Sequence, residues 1–216
     1  MDKIIYILYF IAIVVYAIFY FKKSFDVDLK YFLGYLIAMF TFEMIASYVK
    51  YNLALYNLWV YNTLTFVEFN LLFLFTKQIL ISGKTQKIVL RVSLLFNVIY
   101  LLTTFYYLYQ GIYFETYNSI ASISGSLLIA IVLFLFYRDF LSSNEILNYK
   151  KSLTFWIAFG LLFYYLGTIP ITSIINNMKG TPIEVIEYLY NIQFVLLIFM
   201  YSCFILGALW SQKRVK

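Results

Sequence analysis

The sequence predicts an all-α polytopic membrane protein, a bundle of seven transmembrane helices with its N-terminus outside and its C-terminus in the cytoplasm. Three observations carry this. Of the 216 residues, 64% are hydrophobic and 12% are charged, about half the charged share of a typical soluble domain. Runs of about 20 residues are apolar on every side rather than along one stripe, the pattern of a chain dissolved in lipid. Finally, Lys and Arg collect between alternate runs, as they do when basic residues are retained on the cytoplasmic face.

The apolar runs lie at about 4–21, 31–51, 57–77, 88–109, 117–137, 152–174 and 185–210, each about long enough to cross 30 Å of hydrocarbon as a helix. Barrel strands need only about 10 residues and alternate with period two, which Ile4-Ile5-Tyr6-Ile7-Leu8 does not. The first run follows only Met-Asp-Lys and lacks a small-residue cleavage pattern before Lys22-Lys23, so it reads as a retained helix rather than a signal peptide. The connections are short, the longest running from Asp139 to Lys151, which predicts one transmembrane domain over 1–216 without an inserted soluble part. Pro170 is expected to kink the sixth helix, with Thr168 and Thr172 satisfying freed backbone groups.

Orientation follows from the basic residues. Lys22, Lys23 and Lys30, then Lys77, Lys84, Lys87 and Arg91, then Arg138, Lys150 and Lys151, and finally Lys213, Arg214 and Lys216 fall on one side. Only Lys3, Lys50 and Lys179 fall on the other. A missed span would scramble this alternation, so the asymmetry supports both the helix count and the direction of each helix. Tyr51, Tyr56, Trp59, Tyr106, Tyr107 and Trp210 lie near helix ends and read as interfacial anchors. An AT-rich genome accounts equally well for the aromatic total.

Several function classes are excluded or disfavoured. The net charge of +6 sits in short clusters between apolar runs, not on the contiguous face that nucleic-acid binding needs, so no nucleic-acid partner is expected. There is no histidine, and Cys203 stands alone. That removes a disulfide framework and most ligands for zinc or haem, and no metal or cofactor is expected. It also removes the commonest general base. No catalytic residue is assigned, and the chain is not expected to be an enzyme. Cys203 itself reads as an inert buried thiol.

The candidate site rests on acids placed within spans, which are costly there and usually face the bundle interior. Glu43 lies about 12 Å from the outer end of the second helix and Glu68 about 15 Å into the third, near the midplane. Glu43, Ser47 and Lys50 form one stripe at i, i+4 and i+7, and Lys50 is placed to neutralise Glu43 in part. On the third helix Tyr61 and Thr65 share the face of Glu68, with Asn62 beside it. The seventh helix opens with Glu184, Glu187 and Asn191 on one stripe, flanked by Tyr188. If helices 2, 3 and 7 adjoin, Glu43, Glu68, Asn62, Lys50, Glu187, Tyr188 and Asn191 line an outward-facing pocket for a small ligand or cation. The buried acids have two other readings, interhelical hydrogen-bonding partners and acid/base or proton-carrying groups. Ser119, Ser122 and Ser126 with Gly125 read as close helix packing, and Asn97 as an interhelical hydrogen bond.

Seven helices with an external N-terminus resemble the topology of rhodopsins and seven-helix receptors. Residues 185–210 contain no lysine for a retinal Schiff base, so the likeness implies topology only and no chromophore. The acid in helix two, the Asn62 to Asn70 segment with Glu68, and the Glu187 to Asn191 stretch resemble small seven-helix inner-membrane proteins of the Bacteroidota type. That resemblance implies a multi-pass location in a bacterial inner membrane rather than an activity.

The leading expectation is a receptor-like or sensory protein, embedded in the lipid bilayer, that binds in the outward pocket and passes the change to a separate signalling partner. The motivation is the outer clustering of acids with a tail of about six residues, too short for an output domain. A proton- or ion-coupled transporter using Glu68 is the alternative. A lipid-acting intramembrane enzyme pairing Glu43 with Glu68 is the second, and an assembly subunit without a ligand is a further possibility.

Overall fold

The computed structural model describes residues 2–25, 27–80, 82–177 and 182–211. Lys179, Lys213, Arg214 and Lys216, used above for orientation, lie outside the described residues. Seven α-helices follow one another: α1 (Asp2–Phe21), α2 (Lys30–Tyr51), α3 (Leu58–Ile79), α4 (Gly83–Tyr109), α5 (Ser119–Leu141), α6 (Leu153–Ile174) and α7 (Ile183–Trp210). Short 3₁₀ segments lie at Asn144–Lys151 and Ile175–Asn177. Among the described residues there is no strand, and all seven helices are long and apolar enough to cross a membrane. A helix satisfies its backbone within one segment, which is why uniformly apolar runs adopt it.

Local chemistry ends the helices where the apolar runs end. After α1 the chain turns at Lys23, whose φ of 47° is left-handed, and the Asp28 carboxylate accepts from Lys30 N at 2.9 Å before α2. Gly111, at φ 71°, supplies the positive angle that closes α4 without a steric penalty. Asn118 then caps α5 by accepting from Ala121 N at 3.1 Å, an ordinary N-cap bond. α4 begins five residues before the apolar run expected from position 88. Its polar first turn is held by Thr85, which is buried and donates to Asp139 at 2.9 Å. α6 continues helically through Pro170, and Thr168 donates to Tyr165 O at 3.2 Å.

The helices alternate in direction, so α1, α3, α5 and α7 all start at one pole, called here the N-terminal pole. Packing is circular: α1 on α2, α2 on α3, α3 on α5, α5 on α6, α6 on α7, and α7 back on α1. α4 lies outside this ring, against α3 and α5 only, and shows lipid-type side chains outward, with Leu102 65% and Phe105 68% exposed. One continuous core runs through the ring. Toward the pole opposite the chain start, Phe32 lies 5.0 Å from both Phe75 and Phe204, centroid to centroid, joining α2, α3 and α7.

Small residues set the closest seams. A Cβ on Gly160 of α6 would sit 3.0 Å from Met200 O of α7, and one on Gly207 of α7 would sit 2.5 Å from Trp156 Cβ of α6. Gly125 of α5 lies under the Phe69 ring, 2.4 Å from where its Cβ would be, and Ser126 beside it is buried. On the α3–α4 seam the side-chain amides of Asn70 and Asn97 exchange two hydrogen bonds, at 3.1 and 3.0 Å.

Of the proposed anchors, Tyr51, Tyr56, Tyr106 and Trp210 are exposed at helix ends, whereas Tyr107 is buried. The described basic residues Lys22, Lys23, Lys30, Lys77, Lys84, Lys87, Arg91, Arg138, Lys150 and Lys151 all belong to the pole opposite the chain start, while Lys50 belongs to the N-terminal pole.

Candidate functional site

The polar stripe of α2 points into the ring. Glu43, Ser47 and Lys50 line a cavity of about 500 Å³ at the N-terminal pole, faced by Tyr6 of α1, Tyr61 of α3 and Gln193 of α7. Thr172 and Ile175 close the α6 side, and Tyr117 and Tyr190 complete an aromatic wall. The floor groups are held in place. Tyr61 donates to Glu43 Oε2 at 3.0 Å, and the Tyr6 and Ser47 hydroxyls pair at 2.6 Å. At the mouth the Lys50 ammonium stands 5.3 Å from the Tyr51 ring centroid, a cation–π distance.

Deeper in the ring lies a second polar group. The Tyr165 hydroxyl donates to Glu68 Oε1, and the Tyr35 hydroxyl sits 3.4 Å from that of Tyr165 and 4.0 Å from Met200 Sδ. Tyr9, Tyr164 and Tyr201 lie within electrostatic reach of both Glu68 and Glu43. Every one of these tyrosines is buried. The Tyr9 and Tyr201 rings pack at a tilt of 59° with centroids 4.9 Å apart, and the Tyr201 hydroxyl has no hydrogen-bond partner.

The chain matches no protein-family model, no curated protein and no solved structure. The functional reading therefore rests on this geometry and its chemistry.

The sequence-derived site residues separate into four positions. Glu43 and Lys50 share the cavity with Tyr61. Glu68 sits below it, in the tyrosine cluster. Asn62 is fully buried and turned toward the α4–α5 connection. It donates to Tyr113 O and Thr116 O, both at 3.0 Å, and accepts from Asn118 N at 2.7 Å. Glu187, Tyr188 and Asn191 are exposed and do not line the cavity.

The reason is helical phase. The buried face of α7 runs through Leu197, Met200, Tyr201, Phe204 and Ala208. At about 100° per residue, Glu187 and Asn191 lie roughly 85° and 125° round from its centre, whereas Gln193 lies within about 40°. Nor is α7 beside α3: it is flanked by α1 and α6, so α7 meets the adjacent pair α2 and α3 only across the ring. Gln193, Tyr190 and the buried tyrosines were not among the sequence candidates. Their signal was available for Tyr164, Tyr165 and Tyr201, which lie well inside α6 and α7, because a buried phenol needs a polar partner.

Proposed function

We propose that this protein is a receptor-like membrane bundle that binds a small organic cation in the N-terminal-pole cavity and transmits its occupancy to a separate partner. The observation that carries the reading is the Glu43 carboxylate, fixed by Tyr61 at the floor of a cavity of about 500 Å³ walled by tyrosines. A cavity of this size suits a small molecule. A carboxylate among aromatic faces is the chemistry that recognises an ammonium group, by charge and by cation–π attraction. The charge asymmetry between the poles supports placing this pole outside and the opposite one in the cytoplasm. In that orientation the cavity faces the environment, and a bacterial inner membrane is the location proposed.

Thermal unfolding of purified protein with tetramethylammonium and short alkylamines as probes tests this. The parent protein is expected to gain stability in a saturable way. Glu43→Gln loses the gain, Tyr61→Phe weakens it, and Glu187→Gln keeps it because that side chain lies outside the cavity. Equal responses in parent and Glu43→Gln would sink the assignment.

A further inference from the structure

We propose that Glu68 and the tyrosine hydroxyls around it form a second site, at the centre of the bundle, that binds a monovalent cation of sodium size. Three observations converge. First, the Glu68 carboxylate receives a phenolic hydrogen bond from Tyr165, while the described lysines and arginines lie in end turns and connections, apart from Arg91, which is exposed two turns into α4 outside the ring. Glu68 is half-buried at mid-helix, a carboxylate at that depth in a membrane span needs its charge matched at close range, and among the described residues no ion pair joins it to a lysine or arginine.

Second, the Tyr201 hydroxyl is fully buried within electrostatic reach of Glu68 and Tyr35, yet has no partner. Buried polar groups are nearly always satisfied by protein, water or ligand. Third, beside the Met200 sulfur, the groups linked to Glu68 by hydrogen bonds or by electrostatic interaction are phenolic oxygens, donors of the hard type that small alkali and alkaline-earth cations accept. They come from α1 (Tyr9), α2 (Tyr35), α3 (Glu68), α6 (Tyr164, Tyr165) and α7 (Tyr201).

Valence follows from the charge present. Among the described residues no three His, Cys, Asp or Glu side chains gather, so the several carboxylates that usually hold a divalent ion are lacking. One carboxylate with neutral hydroxyls balances one positive charge. Because five helices contribute, an ion here ties together most of the ring. The site takes its charge from Glu68, whereas the outer cavity takes its charge from Glu43, whose carboxylate lies within electrostatic reach of this one.

The test is the unfolding temperature of the purified protein titrated with NaCl, with CsCl replacing it to hold ionic strength constant. A saturable stabilisation by sodium over caesium is expected. It persists in Glu43→Gln, disappears in Glu68→Gln, and needs at least ten-fold more sodium in Tyr201→Phe. Superimposable sodium and caesium curves overturn the proposal, as does a sodium response retained in Glu68→Gln or lost in Glu43→Gln. Stability that varies with pH but not with sodium overturns it too, in favour of a proton as the counter-charge. Should Glu68→Gln fail to fold, Tyr201→Phe decides alone, since it deletes only a hydroxyl that no protein group engages. A phenylalanine variant more stable than the parent at every salt composition shows that nothing binds there.

Discussion

Replacing Asn62 by Ala separates a structural role from a ligand-binding one. Its side chain makes three hydrogen bonds, to Tyr113 O, Thr116 O and Asn118 N, and the truncation removes all three. The Asn118 amide is fully buried, and stranding it costs about 1–3 kcal/mol. The two carbonyls belong to half-buried residues, so each loses about 0.5–1.5 kcal/mol, the ordinary net value of a bond. The expected loss is therefore about 2–6 kcal/mol before any cavity is counted. At about 2–4 °C per kcal/mol for a chain of this size, the unfolding temperature falls by at least about 4 °C. Asn118 is itself bonded to Thr103 at 2.9 Å and caps α5, so the damage extends to the α4–α5 connection. Unfolding followed by the fluorescence of the three tryptophans measures it. An Asn62→Ala protein that melts with the parent but no longer responds to amines would refute this reasoning and return Asn62 to the ligand.

Two further outcomes are expected. In a double-mutant cycle with Asn70→Leu and Asn97→Leu, the reciprocal amide pair should show a coupling energy of about 0.6–1.7 kcal/mol, and additive losses would show that the pair contributes nothing. For topology, Lys50→Cys and Lys87→Cys, each in a Cys203→Ala background, should react with a membrane-impermeant maleimide from outside and from the cytoplasmic side respectively. The reverse pattern would invert the orientation and close the cavity to the environment.

Hydropathy read the seven helices well because each is apolar over its whole circumference, and it failed where a helix is locally polar. The Gly83–Lys87 turn of α4 is held by Thr85 bonding Asp139, a contact between distant segments that no window average contains. The arrangement of the helices was not legible for the same reason that their existence was. α4 carries Leu90, Leu94, Leu95, Leu101, Leu102 and Leu108 on its exposed side, but a leucine face marks lipid contact on any transmembrane helix and does not say which neighbours that helix lacks. At the site, the i, i+4, i+7 stripe of Glu43, Ser47 and Lys50 pointed correctly into the interior, because α2 has no competing polar face. On α7 the acidic stripe pointed away. Glu187 and Asn191 lie near the pole, where exposure costs little, so polarity there did not imply burial. The tyrosine cluster went unread because tyrosine in a membrane chain suggests an interface; depth distinguishes Tyr164, Tyr165 and Tyr201, but Tyr35, near the start of α2, carries no such mark.

The seam between α6 and α7 limits how this bundle can respond to what it binds. With Gly160 pressed on the Met200 backbone and Gly207 under Trp156, neither helix can slide or rotate against the other without a collision at one of those two levels. α6 and α7 consequently behave as a single stiff lever, carrying Thr172 and Gln193 at one end and Trp156 and Trp210 at the other. A ligand that draws Gln193 inward must tilt both helices together. Under the proposed binding, that displacement would emerge at the far pole beside the Asn144–Lys151 segment, where the indole rings of Trp156 and Trp210, 5.5 Å apart, would register it as a fluorescence change.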